Sequence, residues 1–137
     1  MSKMRNVTDK KEVNEMRIGI PVMDKNGYEY IIGQHFGRVP YFAIVDMEKK
    51  DISFIDNTSE HFGGMGAPPE LLRSNNVEIM LCMDLGRRAI RMFEEFGIEV
   101  YVGAVGTVKN AMDNFNNGNL EEATDKNACM QHKYRDR

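Results

Sequence analysis

The chain has 137 residues, which is enough for one domain with a hydrophobic core but too few for two. Hydrophobic residues make up 42% of it, as in a soluble globular protein, and its formal net charge of −3 argues against a nucleic-acid-binding protein, which usually carries a positive field. No apolar run approaches the roughly 20 residues that cross a bilayer, and the first residues lack the apolar core of a secretory signal, so we expect a cytoplasmic protein without membrane contact.

The first half of the chain predicts a leader followed by three strands. Residues 1–15 are polar, rich in lysine and without hydrophobic period, which is typical of a disordered segment. The domain is expected to start at Met16, where the apolar stretch MRIGIPV begins. Apolar patterning predicts strands at 17–22, 41–47 and 52–57. Because only the charged turn EKKD separates the last two, we interpret the three strands as an antiparallel meander.

The second half alternates helices with strands. A glycine-rich loop at 61–67 leads to Pro68 and Pro69, which are favourable in the first turn of a helix. Apolar residues on one face predict two more helices, built on Ala89, Ile90, Phe93 and Phe96, and on Val108, Ala111, Met112 and Phe115 behind the N-cap Thr107. The continuous apolar runs VEIMLCM and IEVYVGA predict strands that are covered on both faces. We therefore expect an α/β domain over residues 16–120 and a polar tail over 121–137.

This element order predicts a mixed five-stranded sheet, a three-strand antiparallel meander plus two parallel strands, with flanking helices. Parallel strands joined through helices need right-handed crossovers. The loops after strands one, three, four and five, and the loop before strand two, should then meet at one edge of the sheet. This is the carboxyl edge of the parallel strands, where open α/β sheets usually bind ligands.

Candidate ligand residues fall in the loops that should reach this edge. His35 and His61 offer imidazole, and Arg38 offers a positive charge. The neighbouring turns add the thioether of Met65 and the flexible backbone of five glycines, Gly63, Gly64, Gly66, Gly86 and Gly106. Soft donors together with three helix N-termini suit an anionic metal cluster better than a bare divalent cation, which prefers carboxylates. The alternative is structural: His35 fixes its loop, and His61 belongs to the start of a helix.

Other residues have simpler interpretations or carry weaker signals. Cys82 lies in an apolar run and is expected to be a buried thiol, and the eleven methionines are expected to fill gaps in the core. The arginines at 87, 88 and 91 are interpreted as the solvated face of a helix. In the tail, Cys129 and His132 are three positions apart, which allows both to bind one metal or one cluster iron, although a loose tail is the alternative.

Several segments resemble the dinitrogenase iron–molybdenum cofactor biosynthesis family, the NifX/NafY-like proteins, over about residues 16–132. They are MRIGIPV, HFGRVPYFAIVD, GGMGAPPELL, GRRAIRMFEEFGIEVYVGAVGTVKNAMDNFNNG and the C-x-x-H tail. The resemblance implies a ribonuclease-H-like three-layer fold without nuclease activity. It also implies binding of iron–molybdenum cofactor or its iron–sulfur precursors, as in some relatives, while a related protein type carries a molybdenum–copper sulfide cluster.

By motif, the resemblance places ligands at four positions. His35 is the histidine of the HFG segment, His61 lies in the glycine-rich loop, and Cys129 and His132 form the terminal motif. The chain departs from the family in having one histidine after that cysteine, where a pair is often found. The leading hypothesis is a non-enzymatic carrier of an iron–sulfur or iron–molybdenum-type cluster, a monomer or weak homodimer that works with a donor or acceptor protein.

Two alternatives remain open at this stage. One is a small protein-interaction or regulatory domain that has lost cluster binding. The other is a metal-dependent nuclease-like hydrolase, which needs several carboxylates converging on two metal ions, including one in the first strand. That strand, RIGIPV, has no acid, although Asp24 and Asp84 should lie at the loop edge. No Ser or Cys is tied by motif to a His, as nucleophilic catalysis would require.

Overall fold

A computed structural model describes residues 12–25, 38–58 and 68–126, and within them the chain forms six strands and three α-helices. The strands are β1 Arg17–Val22, β2 Tyr41–Asp46, β3 Asp51–Asp56, β4 Ile79–Leu81, β5 Glu99–Val102 and β6 Glu121–Ala123. The helices are α1 Pro68–Ser74, α2 Arg87–Glu95 and α3 Val108–Asn116. A single 3-10 turn, Val13–Glu15, precedes β1 within the predicted leader. None of the described helices is long and apolar enough to span a membrane.

The strands form one mixed sheet in the order β3-β2-β1-β4-β5-β6. Strands β1, β2 and β3 are antiparallel neighbours, while β4 and β5 run parallel to β1, which confirms the predicted meander and parallel pair. The sheet has six strands, however, and the prediction of five was wrong. Strand β6 pairs antiparallel with β5 and comes from the segment assigned to the polar tail. Its sequence EEA buries only Ala123, so it carries no apolar alternation that could have revealed it.

The register of the pairs places the predicted strand ends together. Val22 at the end of β1 lies opposite Tyr41 at the start of β2, and Tyr41 lies opposite Asp56 at the end of β3. Because β4 and β5 run parallel to β1, their ends lie at the same edge, which we call the carboxyl edge. Strand β6 begins there as well, since Glu121 is opposite Val102.

Helices cover both faces of the sheet, and strand residues alternate between two hydrophobic clusters. In β2, Phe42 and Ile44 pack in one cluster, and Ala43 and Val45 in the other. Helix α3 contributes to the cluster on one face, through Val108, Ala111 and Met112. Helices α1 and α2 contribute to the cluster on the other face, through Leu72, Ile90 and Phe93. Because both faces are covered, β1, β2 and β4 are buried at nearly every position, whereas β3, at one end of the sheet, alternates between half-buried and exposed residues.

Candidate functional site

Most of the predicted ligand residues lie outside the described residues. These are His35, His61, Gly63, Gly64, Met65, Gly66, Cys129 and His132. The described part of the chain contains Arg38, Gly86 and Gly106. All three flank strand ends at the carboxyl edge: Arg38 precedes β2, Gly86 follows β4, and Gly106 follows β5.

A buried asparagine connects the two loops that carry the predicted histidines. The side-chain amide of Asn57 donates to the carbonyl of Val39 at 2.8 Å, and its backbone N–H donates to the carbonyl of Pro40 at 2.9 Å. Both residues are at the carboxyl edge, because Asn57 follows β3 and Val39 lies two residues before β2. His35 is four positions before Val39, and His61 is four positions after Asn57. Val39 and Asn57, which lie four positions from His35 and His61 in the sequence, are therefore joined by a hydrogen bond.

Sequence reasoning missed Asn57, which fell at the end of a predicted strand. In the sequence, Asn57 is simply a polar residue directly after an alternating strand, and a polar residue in such a place is ordinarily exposed to solvent. Here the side chain is buried, so its amide must be hydrogen-bonded to avoid a desolvation cost. The contact that satisfies it spans 18 residues of chain, and no local pattern reports a pair at that separation.

The N-termini of α2 and α3 differ in how open they are to a ligand. Thr107 caps α3 by accepting a hydrogen bond from the Asn110 N–H at 3.1 Å, and the Asn110 side chain accepts from the Thr107 N–H at 3.0 Å. Gly86 is the N-cap of α2 and has no side chain with which to cap the first N–H groups. The N-terminus of α2 is therefore the better placed of the two to bind an anion.

The conformation of its turn explains why position 106 is a glycine. Its φ of +88° lies in the left-handed region that favours glycine, and a Cβ at this position would be 2.5 Å from Oδ1 of Asn110. The turn and the capping of α3 therefore require glycine. Gly86 differs, because its φ is −69° and nothing lies within 4 Å of an added Cβ.

Three exposed apolar side chains also lie at the carboxyl edge. Met23 directly follows β1 and is 52% exposed, Met83 follows β4 and is 37% exposed, and Val105 follows β5 and is 51% exposed. Because β1, β4 and β5 are neighbours in the sheet, these side chains extend along one side of the molecule. The expectation that methionines fill the core was wrong for Met23 and Met83, since each lies just beyond the last buried strand position.

Charged groups of both signs surround the edge. Lys25 lies over the ring of Tyr41, with Nζ 4.7 Å from the ring centroid, and Arg38 is exposed. Asp24 is half-buried and Asp84 is exposed. Within residues 12–25, 38–58 and 68–126, no three His, Cys, Asp or Glu side chains are grouped so that they could hold a metal ion. A metal site at this edge would therefore include side chains from outside these ranges, such as the predicted ligands His35 and His61.

Cys82 is not available as a ligand. It is buried near the end of β4, as the sequence predicted, and burial raises the pKa of its thiol to about 12, with the charge of Asp84 acting in the same direction. The thiol is therefore neutral at physiological pH, whereas metals bind the thiolate.

A cavity of about 420 Å³ lies at the opposite, amino edge of the parallel strands. Its lining contains four carboxylates and several apolar groups: Met16, Glu78, Glu94, Gly97, Ile98, Glu99, Val100, Glu122 and Ala123. Carboxylates repel an anionic cluster, so this cavity does not suit the predicted cargo.

Comparison with known proteins was consistent with the resemblance seen in the sequence. The family model described as "Dinitrogenase iron-molybdenum cofactor" matches residues 16–118. An uncharacterized protein of Methanocaldococcus jannaschii is 29% identical over 116 residues, which are 81% of this chain and 94% of that protein. The family prediction is confirmed.

Two solved structures have similar folds. A Thermotoga protein, provisionally described as a NifB protein of the DUF35 family, has a TM-score of 0.65 and 29% sequence identity, covering 78% of this chain and 92% of that one. The apo form of the orange protein from Desulfovibrio gigas has a TM-score of 0.71 and 23% identity, covering 79% of this chain and 92% of that one. At that lower identity the likeness concerns the fold alone.

Proposed function

Because the chain belongs to the dinitrogenase iron–molybdenum cofactor family, we propose that it carries an iron–sulfur or iron–molybdenum-type cluster without catalysing a reaction. The cluster is cargo, which the protein receives from a donor protein and passes to an acceptor protein. We also infer a ribonuclease-H-like fold, since three antiparallel strands followed by alternating helices and strands is the order of that fold. A monomer or weak homodimer would suffice for this role.

The observation that carries the proposal is the pair of hydrogen bonds from Asn57 to Val39 and Pro40. Four residues extend at most about 14 Å, so His35 lies within that distance of Val39 and His61 within that distance of Asn57. The two histidines can therefore reach a common point above the carboxyl edge. Two ligands on separate segments of the chain would otherwise lose chain entropy when they met on one cluster. The Asn57 contact reduces that loss because both loops are already joined at their bases.

The charge at the carboxyl edge supports an anionic cargo. Lys25 and Arg38 are exposed cations on the loops next to Tyr41, and the N-terminus of α2 adds partial positive charge. Guanidinium and backbone N–H groups can donate hydrogen bonds to the sulfides of a cluster, which supports binding without a covalent bond to iron.

The ligands proposed are His35 and His61, with Cys129 and His132 as additional donors from the tail. Two imidazoles bind iron less firmly than four cysteine thiolates, so the cargo can be released, as a carrier requires. Imidazole must be neutral to bind a metal, so protons compete with the cargo for these ligands. Retention should therefore weaken in acid.

The test is cluster retention by the purified full-length protein. The protein is prepared anaerobically, incubated with an iron–molybdenum cluster precursor and desalted, and its iron, molybdenum and visible absorbance are measured. We expect retention in the wild type, loss in His35→Ala and in His61→Ala, and wild-type retention in Lys49→Ala, an exposed change in the turn between β2 and β3. A wild-type protein that retains neither metal would rule out the carrier.

The exposed apolar residues at the carboxyl edge favour a second candidate, a protein-interaction domain without cargo. Met23, Met83 and Val105 provide the kind of apolar surface that mediates protein contacts. The two candidates differ in a direct way. An interaction domain would retain no metal and would be insensitive to His35→Ala, but its partner binding would be weakened by Met23→Lys or Val105→Lys.

A further inference from the structure

Helix α3 ends at an Asn–Gly pair, Asn117 and Gly118, and backbone hydrogen bonds close this end. The N–H of Gly118 donates to the carbonyl of Phe115 at 3.1 Å, and the N–H of Asn119 donates to the carbonyl of Asn114 at 2.8 Å. Gly118 has a φ of +74°, the left-handed conformation with which many helices end. The end of the helix therefore holds the Asn–Gly pair in one conformation.

An asparagine followed by glycine is prone to deamidation. The backbone nitrogen of the glycine gives its proton to water or hydroxide and attacks Cγ of the asparagine side chain. A C–N bond forms and ammonia leaves, and water then opens the resulting succinimide ring to aspartate or isoaspartate. Glycine favours the attack because it has no side chain to hinder it and few restrictions on its backbone. Asn117 and Gly118 are both exposed, so water and base can reach them.

The folded conformation of α3 opposes this reaction. Ring closure needs the nitrogen of Gly118 on the same side of the Cα–C bond as the side chain of Asn117. The ψ of Asn117 is 3°, so that nitrogen instead eclipses the backbone nitrogen of Asn117 and lies away from Cγ. Rotation about this bond would also carry Gly118 and Asn119 out of their hydrogen bonds. The reaction therefore has to wait until the end of the helix opens.

We propose that Asn117 is a deamidation site whose rate is set by local opening at the end of α3. Exposed helix ends open far more often than the core does, so the reactive conformation does not require global unfolding. Leu120, two residues after the glycine, is partly buried against the hydrophobic cluster to which α3 contributes. Its packing holds the chain after Gly118 against the domain and thereby resists the opening.

The products would alter the connection between α3 and β6. Aspartate at position 117 places a negative charge at the end of the helix, where the macrodipole disfavours it. Isoaspartate adds a carbon to the main chain, so the next two N–H groups no longer meet their carbonyl partners. Strand β6 starts only three residues after Gly118, at Glu121, and it buries a single residue, Ala123. Deamidation should therefore loosen β6 while the central strands stay protected.

The test follows deamidation of the full-length protein at mildly alkaline pH by mass spectrometry. Trypsin releases residues 110–126 as one peptide, which begins after Lys109 and ends with Lys126. This peptide has five asparagines, at positions 110, 114, 116, 117 and 119, and fragmentation shows which of them is modified. We expect modification at Asn117, at a rate that is roughly tenfold or more higher in guanidinium-unfolded protein, because the helix end is then always open. Asn117→Gln should remove it in both states, since the longer side chain closes a ring much more slowly.

Two leucine variants separate local opening from global unfolding. Leu120→Ala weakens the packing after the helix end and should raise the rate in the folded protein by roughly threefold or more. Leu71→Ala is the matched control, because Leu71 is also partly buried but packs in the cluster on the other face of the sheet. It should leave the rate in the folded protein unchanged. Equal rates in folded and unfolded wild type, equal acceleration by the two leucine changes, or modification at a different asparagine would overturn the proposal.

Hydrogen exchange of the modified protein tests the effect on β6. After separation from unmodified protein, the backbone N–H groups of β6 should exchange faster than in the unmodified form, while those of β2, at the centre of the meander, should exchange at the same rate. Unchanged exchange in β6 would contradict the expected loosening.

Discussion

Nη1 of Arg17 lies 3.2 Å from Oδ2 of Asp46, and the two residues face each other across β1 and β2 at the edge opposite the proposed site. The other carboxylate oxygen of Asp46 accepts from the backbone N–H groups of Glu48 and Lys49 at 3.1 Å and 3.0 Å. The N–H bond from Lys49 is the main cause that lowers the pKa of Asp46, and Arg17 also lowers it, while burial acts in the opposite direction. One carboxylate therefore joins the sheet to the turn before β3.

This carboxylate predicts a specific acid sensitivity. Because the pKa of Asp46 is lowered by folding, its contribution to stability is complete above the ordinary aspartate pKa of about 3.9 and is lost as the pH falls through the lower folded value. Asp46→Asn should therefore be less stable than wild type at neutral pH, and the difference should shrink as the pH falls below about 4. Urea unfolding between neutral and acidic pH measures this, with the exposed change Asp56→Asn as the control. A difference that does not depend on pH would contradict the assignment.

The core under α2 should be sensitive to truncation. Phe93 is fully buried between α2 and the sheet, so Phe93→Ala should lower the free energy of unfolding by about 3–5 kcal/mol through lost burial and a cavity. Phe96 is only partly buried, and its ring contacts Arg73 with a distance of 4.7 Å from Cζ to the centroid. Phe96→Ala should therefore cost clearly less. Equal losses in urea unfolding would mean that the core is not centred on Phe93.

The two glycines before the helices should respond differently to alanine. Gly106→Ala should lower the free energy of unfolding by about 1–2 kcal/mol, because alanine is strained at a φ of +88° and its Cβ would contact Asn110. Gly86→Ala should change it by less than about 0.5 kcal/mol, since its φ is ordinary and its surroundings are open.

Thermal and urea unfolding of both glycine variants measure this contrast. The Gly86→Ala variant also tests the proposed site. If Gly86→Ala leaves the fold intact and still lowers cluster retention, the loss arises at the N-terminus of α2 rather than from unfolding. Similar destabilisation by the two changes would contradict the assigned conformations.

Removing the Asn57 side chain should affect both stability and the proposed site. Asn57→Ala removes a buried donor and leaves the carbonyl of Val39 without that partner, which should cost about 1–3 kcal/mol. It should also lower cluster retention, because the bases of the two histidine-bearing loops are no longer joined by that bond. Asn116→Ala, at the exposed end of α3, is the matched control. Normal retention in a destabilised but folded Asn57→Ala protein would show that the loops do not depend on this contact.

Much of the fold followed from local patterns. Apolar runs such as RIGIPV and YFAIVD predicted β1 and β2 to within a residue, because strands buried on both faces need apolar side chains at nearly every position. The apolar face of α3 and its cap at Thr107 were equally local signals. The meeting of the strand ends at one edge also followed, since handed crossovers leave few arrangements of parallel strands.

The sequence by itself determined the strands of the meander and the parallel pair, the helices and the edge at which they meet, since apolar periodicity and chain handedness are properties of short segments. Only the tertiary structure decided that EEA becomes a sixth strand, that Asn57 joins two loops and that Asp125 binds α2. Each of these depends on hydrogen bonds or ion pairs between residues far apart in the chain. Such contacts leave no repeating pattern in the sequence, because their partners are brought together only when the sheet has formed.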